Sequence, residues 1–155
     1  MATLETDIHR VPLITPSRTT RLMMDFAFRV AQEARDRVKV GAVIADARGN
    51  ILSYGYNGTP SGYSNEMRDE EGKTKECVLH AEQNAIIKMS SNGVSCFVDE
   101  TTMYSTIAPC VSCSSAIVQS GIKTVIFQDY YKSVEGLEVL EACGVKILRI
   151  KREER

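Results

Sequence analysis

The second half of the chain alternates short apolar strands with helices, and this pattern restricts the fold more than any other feature of the sequence. Strands are predicted at residues 102–106, 124–127 and 145–150, and helices at residues 110–119 and around Val134, Leu137 and Leu140. A helix between two strands carries the chain back to the edge from which it started, so consecutive strands run parallel. We therefore expect a parallel sheet segment covered by helices.

The first half adds a helix and an antiparallel hairpin. One apolar stripe recurs at steps of three and four, through Met23, Ala27, Val30, Ala31, Ala34 and Val38. The segments Val40–Asp46 and Ile51–Tyr56 are joined by a short polar turn and predict a hairpin. A further helix is expected at His80–Met89. These elements predict an α/β fold, a three-layer α/β/α sandwich around a mixed five-stranded sheet.

Residues 1–155 are expected to form one domain, since a chain near 150 residues matches the usual domain size. Residues 1–17 have no sustained period and predict an irregular arm. Residues 63–76 are polar and predict an exposed insertion. No apolar run is long enough to cross a membrane, and the first residues do not resemble a signal peptide. We therefore expect no membrane partner.

Charge and cysteine content narrow the range of partners and cellular compartments that we expect for the protein. The chain has 19 Lys and Arg against 20 Asp and Glu, so bulk positive charge does not hold it on nucleic acid, and no nucleic-acid partner is expected. Its five cysteines are an odd number in a chain too long to need disulfides for stability. That usage favours a reducing cytoplasm.

Two short motifs carry the candidate chemistry. They are His-Ala-Glu at residues 80–82 and Pro-Cys-Val-Ser-Cys at residues 109–113, each at a predicted helix start. One helical turn brings the sulfurs of Cys110 and Cys113 to the same side, and His80 can supply a third ligand from the other helix. Three protein ligands with one open position are typical of catalytic zinc, because the open position holds water.

Glu82 gives the predicted zinc site a proton acceptor. A carboxylate beside a metal-activated water can take its proton, and positive partial charge from two helix N-termini helps to stabilise thiolates. The pairing of H-x-E with P-C-x-x-C is the known signature of zinc nucleobase deaminases. A closed structural zinc site is the alternative, but it normally needs a fourth Cys or His, and the sequence has no second C-x-x-C.

The sequence resembles the cytidine and deoxycytidylate deaminase superfamily over roughly residues 20–150, and within it the deoxycytidylate (dCMP) deaminases. The narrower match lies in Val40–Ile44, in Gly55–Gly62 with its Gly-Tyr-Asn-Gly-x-Pro-x-Gly pattern, and in His80–Ile86. The resemblance implies hydrolysis of dCMP to dUMP and ammonia, with dUMP feeding thymidylate synthesis. It also implies attack on cytosine C4 by a water activated at zinc, while Glu82 carries a proton to N3 and then to the leaving amine.

The same resemblance implies further site residues. Asn57 would contact the deoxyribose and the backbone of Ala81 the base. The 5′-phosphate needs cationic or hydroxyl donors, and Arg37 and Lys39 occupy the place where some family members carry such donors. Tyr131 matches a family tyrosine near the substrate. Many members are hexamers that dCTP activates and dTTP inhibits, with Mg²⁺ accompanying the triphosphate. The residues that map to the effector site here are Tyr56, Gly58, Ser61, Gly62, Asn65 and Glu66.

Other functions stay open on the sequence alone. Another zinc deaminase would use the same catalytic residues on dCTP, a free base or transfer-RNA adenosine. A zinc-stabilised nucleotide-binding regulator without turnover is the alternative from a different class. Glu82 disfavours that alternative, because a purely structural zinc has no use for a free carboxylate at this position.

Overall fold

The structure is a computed structural model that describes residues 11–95 and 100–151. Four helices lie in these ranges: α1 (Arg18–Ala31), α2 (Ala81–Ser91), α3 (Val111–Ser120) and α4 (Glu135–Ala142). The strands there are β1 (Leu13–Ile14), β2 (Gly41–Asp46), β3 (Ile51–Tyr56), β4 (Thr101–Ile107), β5 (Thr124–Asp129) and β6 (Lys146–Ile150). No helix in the described ranges is long and apolar enough to cross a membrane.

The strands form one mixed sheet in the order β1-β6-β5-β4-β2-β3. The pairs β1–β6, β6–β5 and β5–β4 are parallel, whereas β2 lies antiparallel to both β4 and β3. The predicted α/β class is confirmed, but the expected count of five strands is wrong by one. The additional strand is β1, at Leu13–Ile14 in the predicted irregular arm. Two residues carry no periodic signal, so only pairing with β6 reveals this strand.

Helices cover both faces of the sheet, which explains why β2 is apolar along almost its whole length. On one face α1 packs Met23, Met24 and Ala27 against Val43 and Ala45. On the other face the buried residues come from α2, α3, α4 and the sheet, including Ala85, Ile117, Leu140, Ala42, Ile44 and Phe127. Alternate residues of β2 therefore belong to the two opposite cores.

Helix α1 is shorter than its apolar stripe. Ser17 is its N-cap, with its Oγ accepting a hydrogen bond from the backbone N–H of Thr20 at 3.1 Å. The helix ends at Ala31, while Ala34 stays buried and Val38 is exposed. The stripe therefore runs three residues past the helix, because Ala34 still packs into the core after the α-helical hydrogen bonds have ended.

The predicted insertion at residues 63–76 contains a small hairpin. The N–H of Lys75 donates to Met67 O at 2.8 Å, and the N–H of Asp69 donates to Lys73 O at 2.8 Å. Met67 is buried, so this part of the segment is not simply exposed. A single buried methionine in a polar stretch gives no periodic signal, which is why the sequence did not indicate this packing.

A close backbone approach fixes α2 on β3. A Cβ at Gly55 would lie 2.5 Å from Ala81 O and 2.5 Å from the backbone N of Ala85. Only a residue without a side chain leaves room for that contact. Because Ala81 is the first residue of α2, the packing at Gly55 also sets where the beginning of that helix lies.

We predict that Gly55→Ala lowers the free energy of unfolding by about 1–3 kcal/mol, because the added methyl forces β3 and α2 apart. Chemical denaturation with linear extrapolation measures the change. Gly58→Ala is the matched control, since a Cβ at Gly58 meets no atom within 4 Å and its φ is not positive. Equal stability changes in the two variants would contradict the close-approach argument.

Candidate active site

The beginnings of α2 and α3 bring three metal-ligating atoms together. His80 is the N-cap residue of α2, Cys110 is the N-cap residue of α3, and Cys113 lies in the first turn of α3. His80 Nδ1 lies 3.4 Å from Cys110 Sγ and 3.2 Å from Cys113 Sγ. All three ligating atoms lie within 4.8 Å of one another. The spacing of the two sequence motifs therefore becomes one compact cluster.

This donor set fits zinc. Zinc binds thiolate sulfur at about 2.3 Å and imidazole nitrogen at about 2.0–2.1 Å, so tetrahedral ligands lie about 3.6 Å apart. The two N–S distances, 3.2 and 3.4 Å, need only a few tenths of an ångström of relaxation to reach that value. Cys113 is fully buried while Cys110 and His80 are half-buried, so a bound ion would face the solvent on one side only.

The two thiols differ in acidity in the absence of a cation. Hydrogen bonds from Cys113 and His80 to the Cys110 sulfur lower the pKa of Cys110 to about 3. The pKa of Cys113 is raised, because its S–H donates to Cys110 and burial disfavours a second thiolate. Hydrogen bonding to the Cys110 thiolate raises the pKa of His80. One negative charge is thus already stabilised, and a cation would favour the second thiolate.

Glu82 lies in the first turn of α2 with only 4% of its surface exposed. Burial raises the pKa of its carboxyl group, and hydrogen bonds from its own backbone and from Ser105 partly oppose that effect. The hydroxyl Oγ of Ser105 lies 2.9 Å from Glu82 Oε1. A buried carboxyl group with a raised pKa is suited to accepting and returning a proton.

Helix α4 supports the ligand segment from behind. A Cβ at Gly136 would lie 2.1 Å from Pro109 O and 2.8 Å from the carbonyl carbon of Cys110. The first turn of α4 therefore rests directly on the backbone that carries Cys110. This contact fixes the N-terminus of α3 relative to the sheet.

A cavity of about 300 Å³ opens in front of the cluster, at the carboxyl ends of β4 and β5. His80, Glu82 and Cys110 lie at its base. The other lining residues come from several loops: Asp36, Val38, Val40, Asn57, Met67, Arg68, Thr74, Val78, Ala81, Ile107, Ala108, Tyr131 and Lys132. The size fits a small ligand with polar groups at its rim and its reacting end at the cluster.

Three of the five expected substrate contacts line this cavity: Asn57, Ala81 and Tyr131. Asn57 also connects two loops, because its Nδ2 donates to Val38 O at 2.8 Å and its Oδ1 accepts from the N–H of Val40 at 2.9 Å. This amide orders the segment before β2, which forms one wall of the cavity.

Arg37 and Lys39 are exposed and do not line the cavity. The ammonium group of Lys39 donates to Ala34 O at 2.9 Å, so it satisfies a backbone carbonyl beyond the end of α1. The family resemblance places cations just before β2, but it does not indicate toward which side their side chains point.

The cations that do line the cavity are Arg68 and Lys132, which the sequence analysis did not select. The guanidinium of Arg68 forms a two-pronged ion pair with Asp36, with N–O distances of 2.9 and 3.0 Å. Lys132 directly follows Tyr131, after the carboxyl end of β5. A position just beyond a parallel strand was a usable signal for Lys132. The polar stretch around Arg68 offered no comparable signal.

The residues expected to bind an effector lie beside the cavity and not in it. Tyr56 ends β3, and Gly58 pairs with Leu79 through two backbone hydrogen bonds of 3.0 and 2.8 Å. Gly62 is exposed and has a φ of +88°, a conformation that favours glycine. Three more expected effector residues are exposed: Ser61, Asn65 and Glu66. The described residues that line the cavity include none of the six expected effector residues.

Comparisons with known proteins agree with this geometry. The family model for the cytidine and deoxycytidylate deaminase zinc-binding region matches residues 17–129. The deoxycytidylate deaminase of Enterobacteria phage T4 is 31% identical, over 84% of this chain and 89% of the phage protein. The human deoxycytidylate deaminase is 39% identical, over 72% of this chain and 66% of the human protein.

A solved structure extends the similarity to three dimensions. The dCMP deaminase of cyanophage S-TIM5, crystallised with dCMP and dUMP, matches with a TM-score of 0.81 and 36% identity. The match covers 88% of this chain and 99% of the cyanophage chain. The family model, the curated relatives and the solved structure agree with the two motifs that form the cluster, and this chain belongs to the cytidine and deoxycytidylate deaminase family.

Proposed function

We propose that this protein catalyses the zinc-dependent hydrolytic deamination of dCMP to dUMP and ammonia. The observation that carries the proposal is the buried Glu82 carboxyl group beside the cluster of His80, Cys110 and Cys113 at the base of one cavity. The choice of dCMP is supported by similarity to curated deoxycytidylate deaminases and to the cyanophage structure that contains dCMP and dUMP.

His80, Cys110 and Cys113 would hold the zinc ion, which when bound supplies a Lewis acid that makes water a stronger nucleophile near neutral pH. Glu82 accepts the proton of the attacking water and delivers it to N3 of the cytosine. It then takes the proton of the new hydroxyl group on C4 and transfers it to the amine, so that the C4–N bond breaks, ammonia leaves and the C4 oxygen becomes the carbonyl of dUMP. Burial suits Glu82 to this work, because a raised pKa lets the carboxyl group exist in both protonation states.

The cavity provides contacts for the rest of the nucleotide. The backbone of Ala81 faces the base, and Asn57 lies in the wall where the deoxyribose is proposed to bind. Tyr131 and Lys132 would bind the 5′-phosphate, and their position in the lining of the cavity beyond the carboxyl end of β5 supports this role. Arg37 and Lys39 stay proposals for this role that would need their side chains to turn toward the cavity.

We extend the proposal to regulation. The exposed loop with Gly58 and Gly62 would bind a triphosphate with Mg²⁺, with dCTP activating and dTTP inhibiting. Glycines support this because they let a backbone approach phosphates closely. By the same resemblance the enzyme would be a hexamer that feeds thymidylate synthesis. The odd number of cysteines supports a cytoplasmic location.

We predict that the purified zinc-loaded protein converts dCMP and that dTTP with Mg²⁺ suppresses this turnover. Loss of the cytosine ultraviolet absorbance measures the rate. CMP, dCTP, deoxycytidine and cytosine are assayed separately as alternative substrates. Turnover mainly of dCTP would keep the zinc chemistry and change the substrate. If no substrate reacts while zinc is bound, a polynucleotide substrate or a binding role gains support.

We predict that Glu82→Gln lowers kcat by at least about 100-fold, the usual contribution of a positioned general base. The amide keeps the shape of the side chain but cannot carry the proton. Zinc content, measured by atomic absorption, should stay at the wild-type value. Glu135→Gln is the matched control, because Glu135 is an exposed residue at the start of α4. Near-normal turnover by the Glu82 variant would exclude its role as proton carrier.

We predict that Cys110→Ala loses zinc and lowers Tm together, because metal binding is coupled to folding. Differential scanning fluorimetry with and without a chelator measures both effects. The chelator should lower the Tm of the wild type and leave that of the variant unchanged. Cys143→Ala serves as the control, since Cys143 is an exposed free thiol. A zinc-free Cys110 variant of wild-type stability would show that the metal does not stabilise the fold.

A further inference from the structure

Ser105 is a fully buried hydroxyl in β4 that contacts the carboxyl group of Glu82. It lies in the sheet between Ala42 of β2 and Phe127 of β5. Its Oγ lies 2.9 Å from Glu82 Oε1 and 2.7 Å from the backbone O of Ile107. Neither of the sequence motifs contains Ser105, and nothing in the alternation of strands and helices indicates its contact with Glu82.

A serine hydroxyl has one proton to donate and can accept in return. The 2.9 Å distance to Glu82 Oε1 fits donation from the Ser105 hydroxyl to the carboxyl group, and Ile107 O is a second acceptor within reach. Ser105 therefore anchors one oxygen of a carboxyl group that lines the cavity.

The contact with Ser105 holds one oxygen of a carboxyl group that is almost fully buried. Among the described residues, Ser105 is the side chain whose hydrogen bond to Glu82 has a short, defined distance, 2.9 Å. A buried carboxyl group that loses this partner would sample other rotamers.

We propose that Ser105 is a positioning residue that holds the Glu82 carboxyl group toward the cavity. This inference rests on the proposed function. An accurately placed general base lowers the barrier of the chemical step, whereas ground-state binding of the nucleotide depends on other contacts. Loss of the hydroxyl should therefore reduce kcat and leave KM nearly unchanged.

The test compares Ser105→Ala with Ser114→Ala in the zinc-loaded enzyme. Ser114 is also fully buried and follows Cys113, but its Oγ has no hydrogen-bond partner among the residues that the structure describes. Both variants lose one buried hydroxyl near the cluster, so general packing effects cancel. We expect kcat for dCMP to fall 10- to 100-fold in the Ser105 variant, with KM within threefold of wild type. The Ser114 variant should stay within twofold in both constants.

Crystal structures of the two variants test the position of the Glu82 side chain without depending on enzymatic activity. We expect Glu82 to be displaced or divided between rotamers in the Ser105 variant and unchanged in the Ser114 variant. A kcat within twofold of wild type, a change confined to KM, or an unmoved Glu82 would overturn the inference. If the wild type does not convert dCMP, the proposed function fails by itself, and the position of Glu82 still decides the role of Ser105.

Discussion

The meeting of two helix N-termini over the sheet is the contact on which the rest of the site depends. His80 and Cys110 are both N-cap residues, so their extended backbones aim the side chains across the ends of the helices and not along them. Because Gly55 and Gly136 have no side chain, the helices approach the neighbouring backbone closely enough for the ligating atoms to meet. The geometry of the cluster is thus a consequence of backbone packing, before any metal is bound.

This arrangement places several charges where water is scarce. Two sulfurs and the Glu82 carboxyl group cannot all be negative at low cost in a buried site. The opposite pKa shifts of the two thiols express that conflict, since one proton stays on Cys113 while Cys110 ionises. A divalent cation would resolve it by neutralising both sulfurs, which would leave Glu82 as the one of these three groups that can still take up or release a proton. The burial of these groups therefore favours metal binding and also raises the pKa of Glu82.

The sequence predicted the helices, strands and motifs that have a regular pattern or spacing. Strand and helix alternation indicated the parallel half of the sheet, and motif spacing indicated that His80, Cys110 and Cys113 could converge. It did not indicate β1, because a two-residue strand exists only through its pairing with β6. Nor did it indicate Arg68 or Ser105, whose roles depend on contacts with residues 32 and 23 positions away in the chain. Contacts of that kind leave no local pattern.

The residues that the sequence predicted lie at the helix beginnings that form the cluster, and the residues that it did not predict lie mostly at the rim of the cavity. Glu82 and the three metal-ligating residues lie at the N-caps and in the first turns of α2 and α3, where the backbone fixes their direction and a short motif can encode them. Groups at the rim of the cavity come from loops, where Arg68 is held by Asp36 and Lys132 follows a strand end. Loops accept substitution with little cost to the core. A change of substrate within this fold would therefore arise at the rim, while Glu82 and the three ligating residues stay as they are.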